Sequence, residues 1–237
     1  MAQLQRLAIA HTQLHNEQIL LANEQQHYLY RVLRLREGDR FIAMDGTGNS
    51  WLAVLSGNQA QILESIVVES ELNVAVNLIL ALPKGNGFDE VVRCCTELGV
   101  SSIVPVLSDR TLLQPSPQKV ERWRRIAKEA AEQSERNLIP TILEPVSLQQ
   151  ALADATSSKQ LYFCVARLNC PHLKTILALA TATEMTIAIG PEGGWTTSEI
   201  AAAREVGFQL VSLGRRVLRA VTAPIVAMSL VSAAFDG

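Results

Sequence analysis

Met185-Thr186-Ile187-Ala188-Ile189-Gly190-Pro191-Glu192-Gly193-Gly194-Trp195 is the stretch from which the architecture of this 237-residue chain is read. Its first five residues are apolar but for one threonine and do not alternate, so they fit a strand covered on both faces. Three glycines in the next five residues break the run. Just beyond, Thr196 and Glu199 have the spacing of a capping box, in which a hydroxyl and a carboxylate each satisfy one orphan backbone N–H. That box predicts a helix over 198–206, ahead of Gly207. Strand, glycine loop and capped helix form the repeating unit of an open α/β sheet, and such sheets bind ligands at the carboxyl ends of their strands.

Working outward, the same rhythm extends back to residue 74. Short apolar runs at 74–80, 101–107, 161–165 and 209–213 read as further strands, with helical periods between them. A helix over 88–98 stops at Gly99. Ser116 followed by Pro117 starts a long helix to about residue 137, and an apolar helix closes the chain over 223–235. This is an α/β domain with a parallel sheet under helices on both faces. The first seventy residues differ. Asn23 caps a short helix over 24–33 with Gln26 as its capping-box partner, and strand-like runs at 40–44, 51–55 and 61–68 are separated by turn-forming residues at 45–49 and 56–58. The change near 71–73 predicts two domains, a small β-barrel-like module over 1–72 and the α/β domain over 73–237.

With 48% hydrophobic residues the chain can bury a large core, and its net charge of −2 excludes a general basic nucleic-acid binder. Any RNA contact must be local. No run approaches the roughly 18 to 20 apolar residues of a membrane span, and the N-terminus lacks a basic head with an apolar run and cleavage site, so no membrane partner and a cytoplasmic location are expected. The four cysteines, Cys94, Cys95, Cys164 and Cys170, form no C-x-x-C pair and read as free thiols; the four histidines offer no ligand set, so no metal is expected. The pair Glu132 and Arg136, four residues apart, reads as solvated decoration of the long helix.

Three loops that follow strands carry the candidate chemistry. The glycines of 190–194 let backbone approach a ligand, or they make a plain tight turn. In 214–219, Arg215, Arg216 and Arg219 suit an anion near the sheet edge, or a solvated loop. Pro83-Lys84-Gly85-Asn86-Gly87-Phe88 looks like a truncated dinucleotide fingerprint, but Glu90 stands where its third glycine belongs and would oppose a pyrophosphate, which rejects the nicotinamide reading. In the N-terminal module His27, Tyr28, Tyr30, Arg31, Arg34 and Arg36 form a modest basic face, diluted by Glu37 and Asp39.

Five segments, GPEGGW at 190–195, LGRRVLR at 213–219 with Thr222-Ala223, AAEQSERNLIP at 130–140, LALPKGNGFDEVVRCCTELGV at 80–100 and HYLYRVLRLREGDRF at 27–41, together resemble the RsmE-type methyltransferases of the SPOUT superfamily. The resemblance implies a PUA-like RNA-binding barrel and a SPOUT domain whose parallel sheet holds a deep trefoil knot. It implies S-adenosylmethionine as cofactor, held by Ile189, Gly190, Pro191, Glu192, Gly193, Gly194, Leu213, Gly214, Val217 and Leu218. It implies 16S rRNA of the small ribosomal subunit as substrate, methylated at N3 of one uridine, and a homodimer paired through the C-terminal domain. Arg31, Arg34, Lys84, Arg110, Arg136 and Arg215 are then the expected RNA contacts, and Glu97 lies in a family-like motif.

Arg219 is the natural catalytic residue on this reading, because the uracil N3–H is a weak acid and its anion needs a cation. Ala220 and Val221 stand where the family usually has a threonine and a glutamate, and Arg215 where proline is common. These departures keep two alternatives open, a SPOUT enzyme with another RNA target and a catalytically silent RNA-binding relative.

Overall fold

The computed structural model describes residues 4–111, 114–155 and 160–236. They divide into two compact units, one made of 1–70 with 131–139 and the other of 71–130 with 140–237.

The first unit is a curled mixed sheet. Strands β1 (Arg6–Ala8), β2 (Leu14–His15), β3 (Gln18–Leu20), β4 (Arg40–Met44), β5 (Ser50–Ser56) and β6 (Gln59–Ile66) lie in the order β1-β4-β5-β6-β3-β2, with only β1 and β4 parallel. Its core gathers Ile19, Leu29, Phe41, Ala53 and Leu55. The turn at 45–49 is locked by the Asp45 carboxylate, which accepts the Thr47 N–H at 2.8 Å and the Asn49 N–H at 3.1 Å. The helix near residue 24 is shorter than the sequence predicts. As α1 (Asn23–His27) it has Ala22 as its cap, and Gln25, rather than Gln26, reaches back to the Ala22 N–H at 2.9 Å. The chain then widens into a single π turn, Tyr28–Val32, before Arg34 ends it with φ +57°.

Residues 131–139 complete this unit from far along the chain. The Glu132 carboxylate accepts the Ala8 N–H at 2.7 Å, Glu135 pairs with Arg6 at 3.1 Å, and Ser50 donates to the Asn137 side-chain oxygen at 2.7 Å. The expectation of solvated decoration at Glu132 and Arg136 is therefore corrected. The long helix stops at Gln133, Glu135 turns left-handed at φ +61°, and Arg136 is carried inside with 2% of its surface exposed.

The second unit is a seven-stranded, wholly parallel sheet. Strands β7 (Ala75–Ala81), β8 (Ser102–Leu107), β9 (Thr141–Ile142), β10 (Val146–Ser147), β11 (Gln160–Cys164), β12 (Glu184–Ile189) and β13 (Gln209–Val211) give the order β10-β8-β7-β12-β11-β13, with β9 beside β8. Between them run α2 (Gly87–Glu97), α3 (Pro117–Gln133), α4 (Leu148–Asp154), α5 (Leu173–Leu177) and α6 (Thr197–Glu205), and α7 (Thr222–Phe235) closes the chain. The largely apolar character of β7 and β12, interrupted by Asn77 in the first and by Glu184 and Thr186 in the second, follows from burial on both faces. Val76, Leu78, Leu80, Met185 and Ile187 face the core shared with Phe88, Trp123 and Met228, whereas Ile79, Ala81 and Ala188 face Phe163, Leu152 and Ala203. The chain enters at the central β7, builds β8 and β10 on one side, and then crosses to place β11, β12 and β13 on the other. The strand order therefore reverses between β7 and β12, the position at which such sheets open a crevice.

Candidate functional site

The loops that leave β11, β12 and β13, with Arg110 from the turn after β8, enclose a cavity of about 260 Å3. Residues 189–194 line it from the β12 side, and Leu213, Gly214, Val217 and Leu218 from the β13 side. All ten residues expected around a cofactor thus share one cavity wall. The two glycine-bearing loops meet at one edge of the sheet.

The β12 loop is fixed from four directions. Trp195 folds back so closely that a β-carbon at Gly190 would stand 3.0 Å from its ring, and its indole N–H donates to the Cys164 carbonyl at 3.1 Å. Its ring lies 4.7 Å from that of Phe163, so the loop is clamped to β11 by a ring contact and a buried hydrogen bond. The Glu192 carboxylate accepts the Lys84 N–H at 3.0 Å, which ties in the loop after β7. Arg110 donates to the Gly193 carbonyl. At the start of α6 the predicted capping box is present. Glu199, 6% exposed, accepts the Thr196 N–H at 2.7 Å and also the Asp109 N–H at 2.9 Å, so one buried carboxylate holds two loops together.

The β13 loop is hydrogen-bonded at its base and packed at its far end, with an exposed stretch between. The Ser212 hydroxyl accepts the Gly214 N–H at 3.0 Å and donates to the Gly214 carbonyl at 3.1 Å, which fits the turn that Gly214 makes at φ +123°. Arg215, Arg216 and Val217 then run exposed. Arg219 is exposed between the cavity-lining Leu218 and Ala220, and its carbonyl accepts the Thr222 and Ala223 N–H groups that open α7. Val221 takes the space in which a side chain at position 87 would stand, so at this position the chain packs an aliphatic group against Gly87.

The loop after β11, residues 164–168, also lines the cavity, and sequence reasoning missed it. Nothing in Ala166-Arg167-Leu168 resembles a ligand loop; the signal that finds it is position, at the carboxyl end of a strand beside β12. Burial, with the neighbouring Cys170, pushes the Cys164 thiol up to about 12, so it lines the wall as an apolar group and is no nucleophile at neutral pH. Burial likewise holds the Cys95 thiol well above its ordinary value. The wall is mostly apolar, with three guanidiniums, Arg110, Arg167 and Arg216, against the single carboxylate of Glu192.

The other expected residues are spread more widely. Lys84 is exposed in the loop joined to Glu192, and Arg110 stands in the cavity wall. Arg215 is exposed outside the lining. Glu97 pairs with Arg93 at 2.9 Å along the surface of α2. Arg31 and Arg34 are exposed in the N-terminal unit, and Arg136, expected to meet RNA, is buried there instead. Among the described residues no group of three or more His, Cys, Asp or Glu side chains is placed to hold a metal ion, and no helix is long and apolar enough to cross a membrane.

Residues 70–232 match the RNA methyltransferase domain family, and residues 21–64 match the RNA methyltransferase PUA domain family. The chain is 46% identical to ribosomal RNA small subunit methyltransferase E of Synechocystis, over 98% of this chain and 78% of that protein. It is 31% identical to the protein of that name from Bacillus subtilis, over 90% and 88% of the two. The crystal structure of a ribosomal RNA small subunit methyltransferase E from Neisseria gonorrhoeae bound to S-adenosyl methionine covers 96% of each chain at 29% identity, with a TM-score of 0.85. A PUA domain, an RNA methyltransferase domain and a cavity at the carboxyl ends of the parallel strands thus occur together, and the chain belongs to the ribosomal RNA small subunit methyltransferase E family.

Proposed function

We propose that this chain transfers a methyl group from S-adenosylmethionine to N3 of a uridine in the 16S rRNA of the small ribosomal subunit. The observation that carries this reading is the single cavity walled jointly by 189–194 and 213–218 at the carboxyl edge of the sheet. Its composition fits the cofactor. Ile189, Leu213, Val217 and Leu218 offer an apolar slot for a flat purine, the glycine backbone offers N–H and C=O groups for its edges, and a guanidinium at the wall suits an amino-acid carboxylate. When bound, S-adenosylmethionine supplies an electrophilic methyl group on a sulfonium.

The remaining work falls to the protein. The clamped β12 loop fixes where a reacting base must sit, which lowers the entropic part of the barrier. Arg219 stabilises the negative charge that develops on uracil as N3 loses its proton. Arg31, Arg34, Lys84, Arg110 and Arg215 hold RNA phosphates, with 1–72 gripping RNA and 73–237 holding the donor. Two copies pair through their C-terminal domains, and the work is done in the cytoplasm, where the substrate is.

Calorimetry with S-adenosylmethionine is expected to give one site per chain, and incubation with small subunits from a strain lacking the enzyme to give one N3-methyluridine. A folded protein that takes up no S-adenosylmethionine would remove the reading.

A further inference from the structure

Four described residues other than glycine have a left-handed backbone: Asn16, Arg34, Glu135 and Arg167. Three have a local cause. Asn16 makes the tight turn between β2 and β3 and is a residue type that tolerates this conformation. Arg34 and Glu135 each close a helical turn, with the Leu35 N–H on the Leu29 carbonyl and the Arg136 N–H on the Ala131 carbonyl, both at 3.0 Å. Arg167, at φ +65°, follows a strand, and no helix end calls for it. Backbone held in a sparsely populated conformation persists where the surroundings enforce it, and such residues cluster at ligand sites. The surroundings do enforce it. On one side of Arg167 the Val165 N–H is bound to the Val211 carbonyl at 2.9 Å, and on the other the Ser212 N–H is bound to the Pro171 carbonyl at 2.8 Å, so both ends of the loop are pinned along the end of β13.

Arg167 lines the cavity and is exposed, and among the described residues no carboxylate pairs with it or with Arg216. Each of these arginines precedes an exposed aliphatic residue, Leu168 at 47% and Val217 at 58% of full exposure, and all four line the cavity. The mouth is therefore framed by two copies of the same pairing, a guanidinium beside an aliphatic side chain, which matches a nucleotide's phosphate and base.

We propose that Arg167 binds an anionic oxygen group of the RNA substrate, a backbone phosphate next to the target nucleotide, and that its left-handed backbone holds the guanidinium at the cavity mouth. The proposal rests on the methyltransferase reading above. A carboxylate of the methyl donor offers the same chemistry, but Arg167 is exposed at the rim, where the larger ligand arrives.

The test compares wild type, Arg167→Gly, which removes the guanidinium and relieves the backbone, and Arg167→Lys, which keeps the charge. Arg167→Gly is expected to raise KM for unmethylated small subunits about tenfold and to leave S-adenosylmethionine affinity within about twofold. It should also flatten the dependence of log K on log salt by about 0.7 to 0.9, while its thermal midpoint stays level or rises. Arg167→Lys restores most of the salt dependence. An unchanged KM and salt slope, an equal loss of donor affinity, or a change in oligomeric mass would each overturn the proposal, the last two by assigning Arg167 to the donor carboxylate or to a subunit interface. A wild-type protein that neither binds the donor nor methylates would instead strike the underlying reading.

Discussion

The loops after β12 and β13 both turn on glycine and both line the cavity, yet they are secured in opposite ways. The first is fastened to the loops after β7, β8 and β11 by a buried carboxylate, a guanidinium, an indole and a backbone N–H. The second is hydrogen-bonded at Ser212 and seated at its far end by Ala220 and Val221, and between them it leaves three side chains in a row to solvent. One wall thus contributes to the stability of the fold, and the other is free to spend its side chains on ligands, so substitutions in the two walls should separate into stability effects and activity effects.

The strongest way to break that division is Trp195→Ala. It opens a void against Phe163 and orphans the Cys164 carbonyl, and a loss of about 3–5 kcal/mol is expected from denaturant midpoints. A loss under about 1 kcal/mol would mean that the β12 loop is not clamped as described. On the open wall the expectation reverses. Arg219→Ala should lower kcat/KM by about 100-fold, near 2.7 kcal/mol of transition-state stabilisation, with the thermal midpoint unchanged. Full activity in that variant would remove Arg219 from the chemistry.

The smallest effect sharpens the comparison from outside the site, at the glycine turn 45–49 of the N-terminal unit. Burial there would raise the Asp45 carboxyl, but hydrogen bonds from Asn49 and Thr47 outweigh it and hold the group below the ordinary carboxylate value. Its contribution is therefore complete above the unfolded carboxylate pKa and fades as pH falls through the lowered folded value. A few tenths of a kcal/mol are expected for so accessible a turn. Asp45→Asn should flatten the acid limb of stability against pH by that amount, and methylation at neutral pH should not change.

Five of the seven parallel strands were legible because they carry short apolar runs between helices with their own end signals, whereas β9 and β10, two residues each, were not. The Thr196–Glu199 box and Gly99 appear in the structure as the sequence predicts. The N-terminal strands β1, β2 and β3 were not legible, since segments of two or three residues leave no periodicity to read. The helix at residue 24 was misread at its cap because Asn23 and Gln26 satisfy the local pattern, whereas Gln25 also donates to the Ala8 carbonyl, a long-range partner that no local rule contains. In the site, glycine-rich loops announced themselves. Arg167 did not, because its significance lies in a backbone angle and in the neighbours of β11, neither of which a single sequence displays. Arg136 misled for a related reason: helical spacing placed it in solvent, but the helix had already ended.

The nonapeptide 131–139 that finishes the N-terminal unit has a consequence for biosynthesis. While only the first seventy residues have emerged from a translating ribosome, Arg6 lacks its counter-ion, the Ala8 N–H its acceptor and Ser50 its amide partner. The chain must be made as far as residue 139 before that unit can lock. The module that begins the chain thus closes only after part of the second unit has been made, and cutting it out as an isolated fragment would leave it without its last stitch.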